Sequence, residues 1–218
     1  MELLRQAVDL FLHLDKHLNA VMQDYGIWTY AILFVIIFSE TGFVVTPFLP
    51  GDSLLFAAGA LAATPGSPMH VGWLFVLLCA AAIAGNTVNY SVGRLFGDKL
   101  AKKFPRIIKP KYLEKTHAFY EKYGGETIII TRFVPIVRTF APFVAGIGRM
   151  RYFKFSAYNI TGGVLWVGLL LYGGFLFGGL RFVKEHFAVV ELAIIILSIL
   201  PMVVEFIRAR HEVKNQDA

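Results

Sequence analysis

Apolar residues along the chain are gathered into long runs, which differ in length and in how polar residues interrupt them. Residues 71–92 and 155–178 form two long runs, and residues 188–206 form a third. A helix needs about 20 residues to cross the hydrocarbon core of a bilayer. These runs therefore predict three membrane-spanning helices, of which the first two carry regularly spaced glycines that allow close helix contact.

Two further apolar segments, at 27–63 and 127–150, are interrupted in the middle by residues that break helices. The halves of each segment are too short to cross a bilayer, and a straight lipid-facing helix does not tolerate such breaks. We therefore predict two re-entrant hairpins. The hairpin-breaking residues are Pro47, Pro50 and Gly51 in the first segment and Pro135 and Pro142 in the second.

The two halves of the chain resemble each other weakly, since residues 47–59 can be aligned with residues 135–146. Each half is a broken hairpin followed by a glycine-rich spanning helix. The turn at 64–70 carries no Lys or Arg, whereas the stretch at 94–126 is rich in both. Because basic loops stay in the cytoplasm, the hairpins should enter the membrane from opposite sides. This arrangement predicts an inverted repeat of the kind found in secondary transporters.

The predicted organisation is a single membrane domain at 27–207, flanked by two terminal segments. Residues 1–26 have apolar positions at helical spacing and no cleavable signal peptide, so they predict an amphipathic helix that lies in the interface or packs on the protein. The basic loop 94–126 and the tail 208–218 are expected in the cytoplasm. The inverted repeat places the N-terminus in the periplasm.

Composition agrees with a membrane protein, because 56% of the 218 residues are hydrophobic and only 17% are charged. The net charge of +6 follows from basic cytoplasmic loops and predicts no nucleic-acid partner. The single cysteine, Cys79, excludes an intrachain disulfide, and the six histidines show no metal-ligand spacing. We expect no metal and no cofactor. Asn86 and Asn89 are expected to contact another helix rather than a substrate.

Four charged residues fall in or beside the hairpins, namely Glu40, Asp52, Arg132 and Arg138. A charge at membrane depth is costly unless it is paired or hydrated. If the hairpin tips meet, the acids of the first can neutralise the arginines of the second. The cluster then either lines a transport cavity or only holds the hairpins together.

The residue types suggest roles for this cluster. The planar fork of Arg132 or Arg138 suits a phosphate group, because it offers two parallel hydrogen bonds. Burial favours the protonated form of a carboxylate, which makes Glu40 a candidate proton carrier. Asp52 follows a Pro-Gly pair, so it is an N-cap, a functional charge or both.

Two runs of residues resemble the DedA family, also called the SNARE-associated or VTT-domain family. They are E-T-G-x-x-x-x-P-F-L-P-G-D-S-L-L from Glu40 and R-F-V-P-x-V-R-T-F-A-P-x-V-A-G from Arg132. The resemblance implies a bacterial inner-membrane protein with two facing re-entrant hairpins. It also implies a link to recycling of undecaprenyl phosphate or to proton-dependent tolerance, with essential charges at Glu40, Asp52, Arg132 and Arg138.

The function expected from these observations is transport rather than catalysis. Arg132 and Arg138 would bind the phosphate of a lipid such as undecaprenyl phosphate, and Glu40 and Asp52 would carry protons or gate the site. The alternatives are a proton-dependent exporter of small cations or drugs and a membrane scaffold whose buried charges are structural. A lipid phosphatase is a less favoured alternative, because the sequence has no catalytic His–Asp pair or metal-ligand set near the arginines. A homo-oligomer is compatible with each.

Overall fold

The computed structural model describes residues 14–43, 51–103, 126–133 and 135–180, together with residues 183, 189, 190 and 193. This part of the chain is helical and contains no strand, as the sequence predicts. The helices are, in chain order, α1 (Leu14–Tyr25), α2 (Trp28–Gly42), α3 (Gly51–Ala62), α4 (Val71–Lys103), α5 (Glu126–Thr131), α6 (Pro135–Ile147) and α7 (Tyr152–Phe177).

Two of these helices have the length and apolar composition of membrane spans. They are α4, over Val71–Gly97, and α7, over Tyr152–Phe177. The third predicted span, at 188–206, lies outside the described residues except for positions 189, 190 and 193. The tail at 208–218 lies wholly outside them.

Helix α4 is longer than the sequence predicts. It continues to Lys103, so residues 94–103, which we expected in the basic loop, form its last turns. Basic composition predicts a cytoplasmic segment but does not end a helix, because Lys and Arg are good helix formers. The remainder of the predicted loop, at 104–125, lies outside the described residues.

Each segment predicted as a hairpin contains two short helices. Helices α2 and α3 occupy the first, and α5 and α6 occupy the second. Pro135 opens α6, where its missing N–H costs no helical hydrogen bond. Pro142 lies inside α6, so its prediction as a break is wrong. A proline removes one helical hydrogen bond, and helix packing on both sides can maintain the helix around it. Pro47 and Pro50 lie outside the described residues.

The short helices of the two predicted hairpins pack on the long helices of the opposite half. Helix α6 packs on α4, and α3 packs on α7. Gly93 and Gly146 face each other's backbone at the α4–α6 crossing, where a Cβ on either would overlap a carbonyl oxygen of the other helix. Gly59 and Gly174 do the same at the α3–α7 crossing. Both crossings therefore depend on a pair of glycines that bring the backbones into contact.

The main apolar core is formed by residues of helices α1, α2, α3, α4 and α7. Its fully buried members include Leu33, Leu55 and Leu171. Leu18 of α1 is buried in the same core, and α1 contacts α2 and α3. Of the two placements expected for the N-terminal helix, its described part, Leu14–Tyr25, packs on the protein.

Candidate functional site

Arg138 joins the two predicted hairpins through an ion triad formed with Glu40 and Asp52. Its Nη1 donates to Asp52 Oδ1 at 2.5 Å, and its Nη2 donates to Glu40 Oε1. All three residues are buried. One guanidinium fork therefore contacts both carboxylates, each with a different nitrogen, and the sequence prediction that acids of the first segment meet an arginine of the second is correct for Arg138.

The helix ends of the first segment explain how two acids reach one arginine. Glu40 lies near the end of α2, and Asp52 lies in the first turn of α3, where a helix dipole favours a negative charge. Asp52 is the second residue of α3, so it does not stand at the N-cap position, which was one of its two expected roles. Gly51 lies against Glu40, because a Cβ there would overlap the Glu40 carboxylate. Gly51 thus permits the close approach of α2 and α3 at the triad.

Trp166 of α7 completes the surroundings of the triad. Its indole Nε1 donates to Asp52 Oδ1 at 2.9 Å. Its ring centroid lies 5.0 Å from Cζ of Arg138, within the range of a cation–π contact. Sequence analysis treated Trp166 only as part of a spanning helix and missed this role. Its indole N–H is a hydrogen-bond donor in the mostly apolar second half of α7, and that was the available signal.

Arg132 lies apart from the acids, in a second group that we call the Arg132 cluster: Arg132, Asn86 and Asn159. Arg132 Nη2 donates to Asn159 Oδ1 at 2.5 Å and to the Asn159 carbonyl at 3.3 Å. With its oxygen facing the guanidinium, the Asn86 amide accepts from Nη2 at 2.8 Å and donates to the Thr41 carbonyl at 3.3 Å. No carboxylate in the described part of the chain pairs with Arg132, although the side chain is only 3% exposed.

Helix α7 is shaped to receive Arg132. Asn159, Gly162 and Gly163 are buried on the face that meets it. A Cβ at Gly162 would lie 3.0 Å from Arg132 Cδ, and one at Gly163 would lie 3.5 Å from Nη2. The glycines leave room for the long side chain against the α7 backbone. Sequence analysis did not single out Asn159, although a lone amide in a spanning helix is a signal of function.

Asn89 of α4 forms hydrogen bonds with both predicted hairpins. Its Nδ2 donates to the Thr139 carbonyl at 2.6 Å and to the Thr41 carbonyl at 3.3 Å. These carbonyls belong to α6 and to the end of α2, so Asn89 makes the helix contact expected of it. Asn86 also makes the helix contact expected of it, through the Thr41 carbonyl of α2, and in addition it contacts Arg132.

Both buried arginines retain unused hydrogen-bonding capacity. The Nε atoms of Arg132 and Arg138 have no acceptor within the described residues. Unpaired buried donors are rare and call for an explanation, such as a ligand or water. No group of three or more His, Cys, Asp or Glu side chains in the same residues is arranged to hold a metal ion. The arrangement therefore suits binding of an anion through guanidinium groups.

Comparison with known proteins gives the family. The VTT domain model matches residues 49–176. The protein DedA of Escherichia coli is 54% identical over 209 residues, which cover 95% of each chain. The inner membrane protein YqjA of Escherichia coli is 34% identical over 173 residues, covering 78% of this chain and 76% of its own.

An uncharacterized membrane protein of Mycobacterium tuberculosis is 45% identical over 145 residues, covering 65% of this chain and 63% of its own. No solved structure matches the chain at a significant level. The matched domain covers more than half of the chain, and the match to the protein DedA covers nearly all of it. The chain therefore belongs to the DedA family of VTT-domain membrane proteins.

Proposed function

We propose that this chain moves an anionic lipid phosphate, with undecaprenyl phosphate as the specific candidate, across the bacterial inner membrane. The observation that carries the proposal is the set of hydrogen-bond partners of the two buried arginines. Arg138 is held by two carboxylates, and Arg132 is held by neutral oxygens alone among the described residues. A phosphate group is an anion that two such forks can bind.

The proposed architecture is an inverted repeat with two re-entrant hairpins. The paired crossings support it, because Gly59 and Gly146 occupy aligned positions in the two halves and each contacts a glycine of the opposite long helix. In transporters of this type the substrate site lies between the repeats at broken helices, and access alternates as one repeat moves against the other.

The proposed topology places the two ends of this architecture in different compartments. The turn at 64–70 would face the periplasm together with the N-terminus. The basic residues between 94 and 126 and the tail at 208–218 would lie in the cytoplasm, as positive loops do. The hairpins would then enter from opposite sides.

Protons would enter the mechanism through the ion triad. When Glu40, Asp52, Arg132 and Arg138 are all ionised, two negative and two positive charges cancel. A phosphate monoanion that joins them leaves one excess negative charge, which is costly at membrane depth. A proton on Glu40 restores neutrality and loosens its hold on Arg138, so that this arginine can contact the phosphate. One proton would thus move with each phosphate monoanion.

The same arrangement supports transport rather than catalysis. Bond cleavage at a phosphate ester needs a nucleophile or an activated water beside the anion site. The groups that contact the two arginines in the described residues are carboxylates, amides, a carbonyl and an indole ring. The carboxylates, which could act as nucleophiles, are both paired with Arg138, so we propose no enzymatic activity.

Reconstitution into liposomes tests the proposal. Labelled undecaprenyl phosphate is placed in one leaflet, and its arrival in the other is followed with and without a pH gradient. We expect faster movement with this protein than in empty liposomes, and acceleration by the gradient. Glu40→Gln should remove the dependence on the gradient. Equal rates with and without the protein would refute lipid-phosphate transport.

The paired acids support a second candidate, a proton-dependent exporter of small cations. In this case a cation would take the place of Arg138 between Glu40 and Asp52. The same liposomes loaded with a fluorescent organic cation distinguish the two, because cation efflux without lipid movement would favour the exporter. If neither substrate moves while the purified protein remains folded, the scaffold role is favoured.

A further inference from the structure

Arg132 and Arg138 are both buried, but the groups that they contact differ in charge. Both Nη atoms of Arg138 already contact carboxylates. Arg132 contacts two amide oxygens and one backbone carbonyl, which are neutral. A buried charge is normally paired, because desolvation without a counter-ion is strongly unfavourable. Within the described residues, Arg132 is a buried cation whose counter-ion is missing.

Asn159 determines this condition through its orientation. Its Nδ2 donates to the Ile83 carbonyl at 3.0 Å and to Thr87 Oγ1 at 3.3 Å. These two bonds direct Oδ1 toward Arg132, where it accepts at 2.5 Å. The amide side chain is therefore fixed by α4 and cannot exchange its oxygen for its nitrogen without losing these hydrogen bonds.

An aspartate at this position would have nearly the same shape and would neutralise Arg132. The chain places an amide there instead, so the guanidinium is oriented by a hydrogen bond and gains no counter-ion from this position. Arg132 Nε also lacks an acceptor among the described residues. A phosphate oxygen on that nitrogen would supply the missing acceptor and the missing negative charge together.

We propose that Asn159 is a positioning residue that keeps Arg132 unneutralised, and that the Arg132 cluster is the primary binding site for the phosphate group. The inference rests on the proposed function and refines it. Arg132 captures the anion, whereas Arg138 becomes available only when a carboxylate of the triad releases it. Asn159 contributes by excluding a competing negative charge from Arg132.

The test compares Asn159→Asp with Asn159→Ser in the full-length protein, purified in detergent. Asp adds a charge to Arg132, whereas Ser removes the amide and adds none. Thermal unfolding is measured with and without dodecyl phosphate, and with dodecyl trimethylammonium as a control of opposite charge. We expect dodecyl phosphate, and not the cationic amphiphile, to raise the Tm of the natural protein.

Without ligand, Asn159→Asp should have a higher Tm than Asn159→Ser, because both variants lose the Nδ2 hydrogen bonds and only Asp supplies the missing counter-ion. It should lose its response to dodecyl phosphate, with an affinity at least about tenfold lower, equivalent to ~1.4 kcal/mol. Asn159→Ser should show the opposite pattern: a lower Tm and a retained response. A purely structural role for Asn159 predicts a lower Tm and an unchanged phosphate response in both variants.

Two results would overturn the proposal. One is an Asn159→Asp variant that binds dodecyl phosphate as the natural protein does. The other is a lost response in Asn159→Ser together with a retained one in Asn159→Asp. If Asn159→Asp does not fold, Asn86→Asp adds the same charge to Arg132 from α4 and is judged by the same criteria. If the natural protein itself gains no stability from dodecyl phosphate, the proposed lipid-phosphate function fails, an outcome distinct from a failure of the variants alone.

Discussion

Trp166 and Asp52 are joined across the α3–α7 contact by a hydrogen bond from the indole Nε1 to Oδ1, 2.9 Å long. The same carboxylate oxygen accepts from Arg138 at 2.5 Å. The ring of Trp166 also lies near the Arg138 guanidinium. One tryptophan therefore contacts both members of a buried ion pair, and it links the long helix of one half to the hairpin helices of both.

Trp166→Phe separates these two contacts, because phenylalanine keeps an aromatic face toward Arg138 and lacks the donor. The lost hydrogen bond to a buried charged group should lower the free energy of unfolding by about 1.5–3 kcal/mol. We expect slower lipid-phosphate movement from a protein that still inserts. Trp73→Phe is the matched control, since Trp73 is 71% exposed and should tolerate the change. An unaltered Tm in Trp166→Phe would contradict a role for the indole N–H.

Replacing Arg138 alone should destabilise the protein more than replacing Arg138, Glu40 and Asp52 together. Arg138→Ala leaves two buried carboxylates without their cation, and breaking a buried pair in this way typically costs about 3–5 kcal/mol. Combining it with Glu40→Gln and Asp52→Asn removes the stranded charges and should recover part of the folded yield in detergent. Strictly additive losses across these variants would mean that the three residues do not interact.

The control for this cycle is Arg132, which has no carboxylate partner among the described residues. Arg132→Ala combined with Glu40→Gln should give losses that add. A recovery in this pair equal to that of the Arg138 set would contradict the separation of the ion triad from the Arg132 cluster.

The buried charged residues could be predicted from the sequence, but which arginine pairs with the acids could not. Glu40, Asp52 and Arg138 could be brought together in advance because charges at membrane depth require neutralisation. Which arginine receives the acids depends on how α6 lies against α3 and α4, and spacing along the chain does not contain that information. Arg132 and Arg138 are therefore equivalent in the sequence and different in the structure.

The residues that sequence analysis missed lie on one face of α7. Asn159 and Trp166 are seven positions apart, two helical turns, so they share a face only if the segment is read as a continuous helix. Their roles depend on tertiary contact with Arg132 and Asp52. The opposite error occurred at Pro142, where a residue type suggested a break that the packed helix does not have.

The glycine crossings predict sharply position-dependent effects. Gly174→Ala places a Cβ on the Phe56 carbonyl, and Gly146→Ala places one on the Tyr90 carbonyl. Backbone on both sides cannot yield without separating the helices, so both variants should lose folded protein on size-exclusion chromatography in detergent. Gly179→Ala is the control, because a Cβ there meets nothing within 4 Å. Normal folding of Gly174→Ala and Gly146→Ala would refute the close crossings.

The proposed topology can be tested by cysteine labelling in whole cells. Cys79 is buried and should give little background. Ser67→Cys, in the turn after α3, should react with a membrane-impermeant maleimide from outside. Lys154→Cys, in the exposed first turn of α7, should react only after the membrane is opened. The reverse order of labelling would invert the proposed orientation and with it the assignment of the basic segments to the cytoplasm.

Lysine substitution distinguishes a phosphate fork from a simple positive charge, but only at one of the two arginines. Arg138 contacts two carboxylates with two different nitrogens. A single ammonium is a point charge and cannot reproduce this fork. Arg138→Lys should therefore impair folding whether or not Arg138 ever binds phosphate, and its effect on transport says little about substrate.

Arg132→Lys does not have this difficulty. The neutral oxygens of Asn159 and Asn86 can accept from an ammonium as they do from a guanidinium, so we expect near-normal Tm and insertion. Lysine can keep only one of the two parallel hydrogen bonds to a phosphate, which should slow lipid-phosphate movement by about tenfold, the equivalent of ~1.4 kcal/mol for one charge-assisted hydrogen bond. Tm and transport are measured on the same preparation. Full lipid-phosphate movement by a well-folded Arg132→Lys variant would exclude the guanidinium fork as the means of binding.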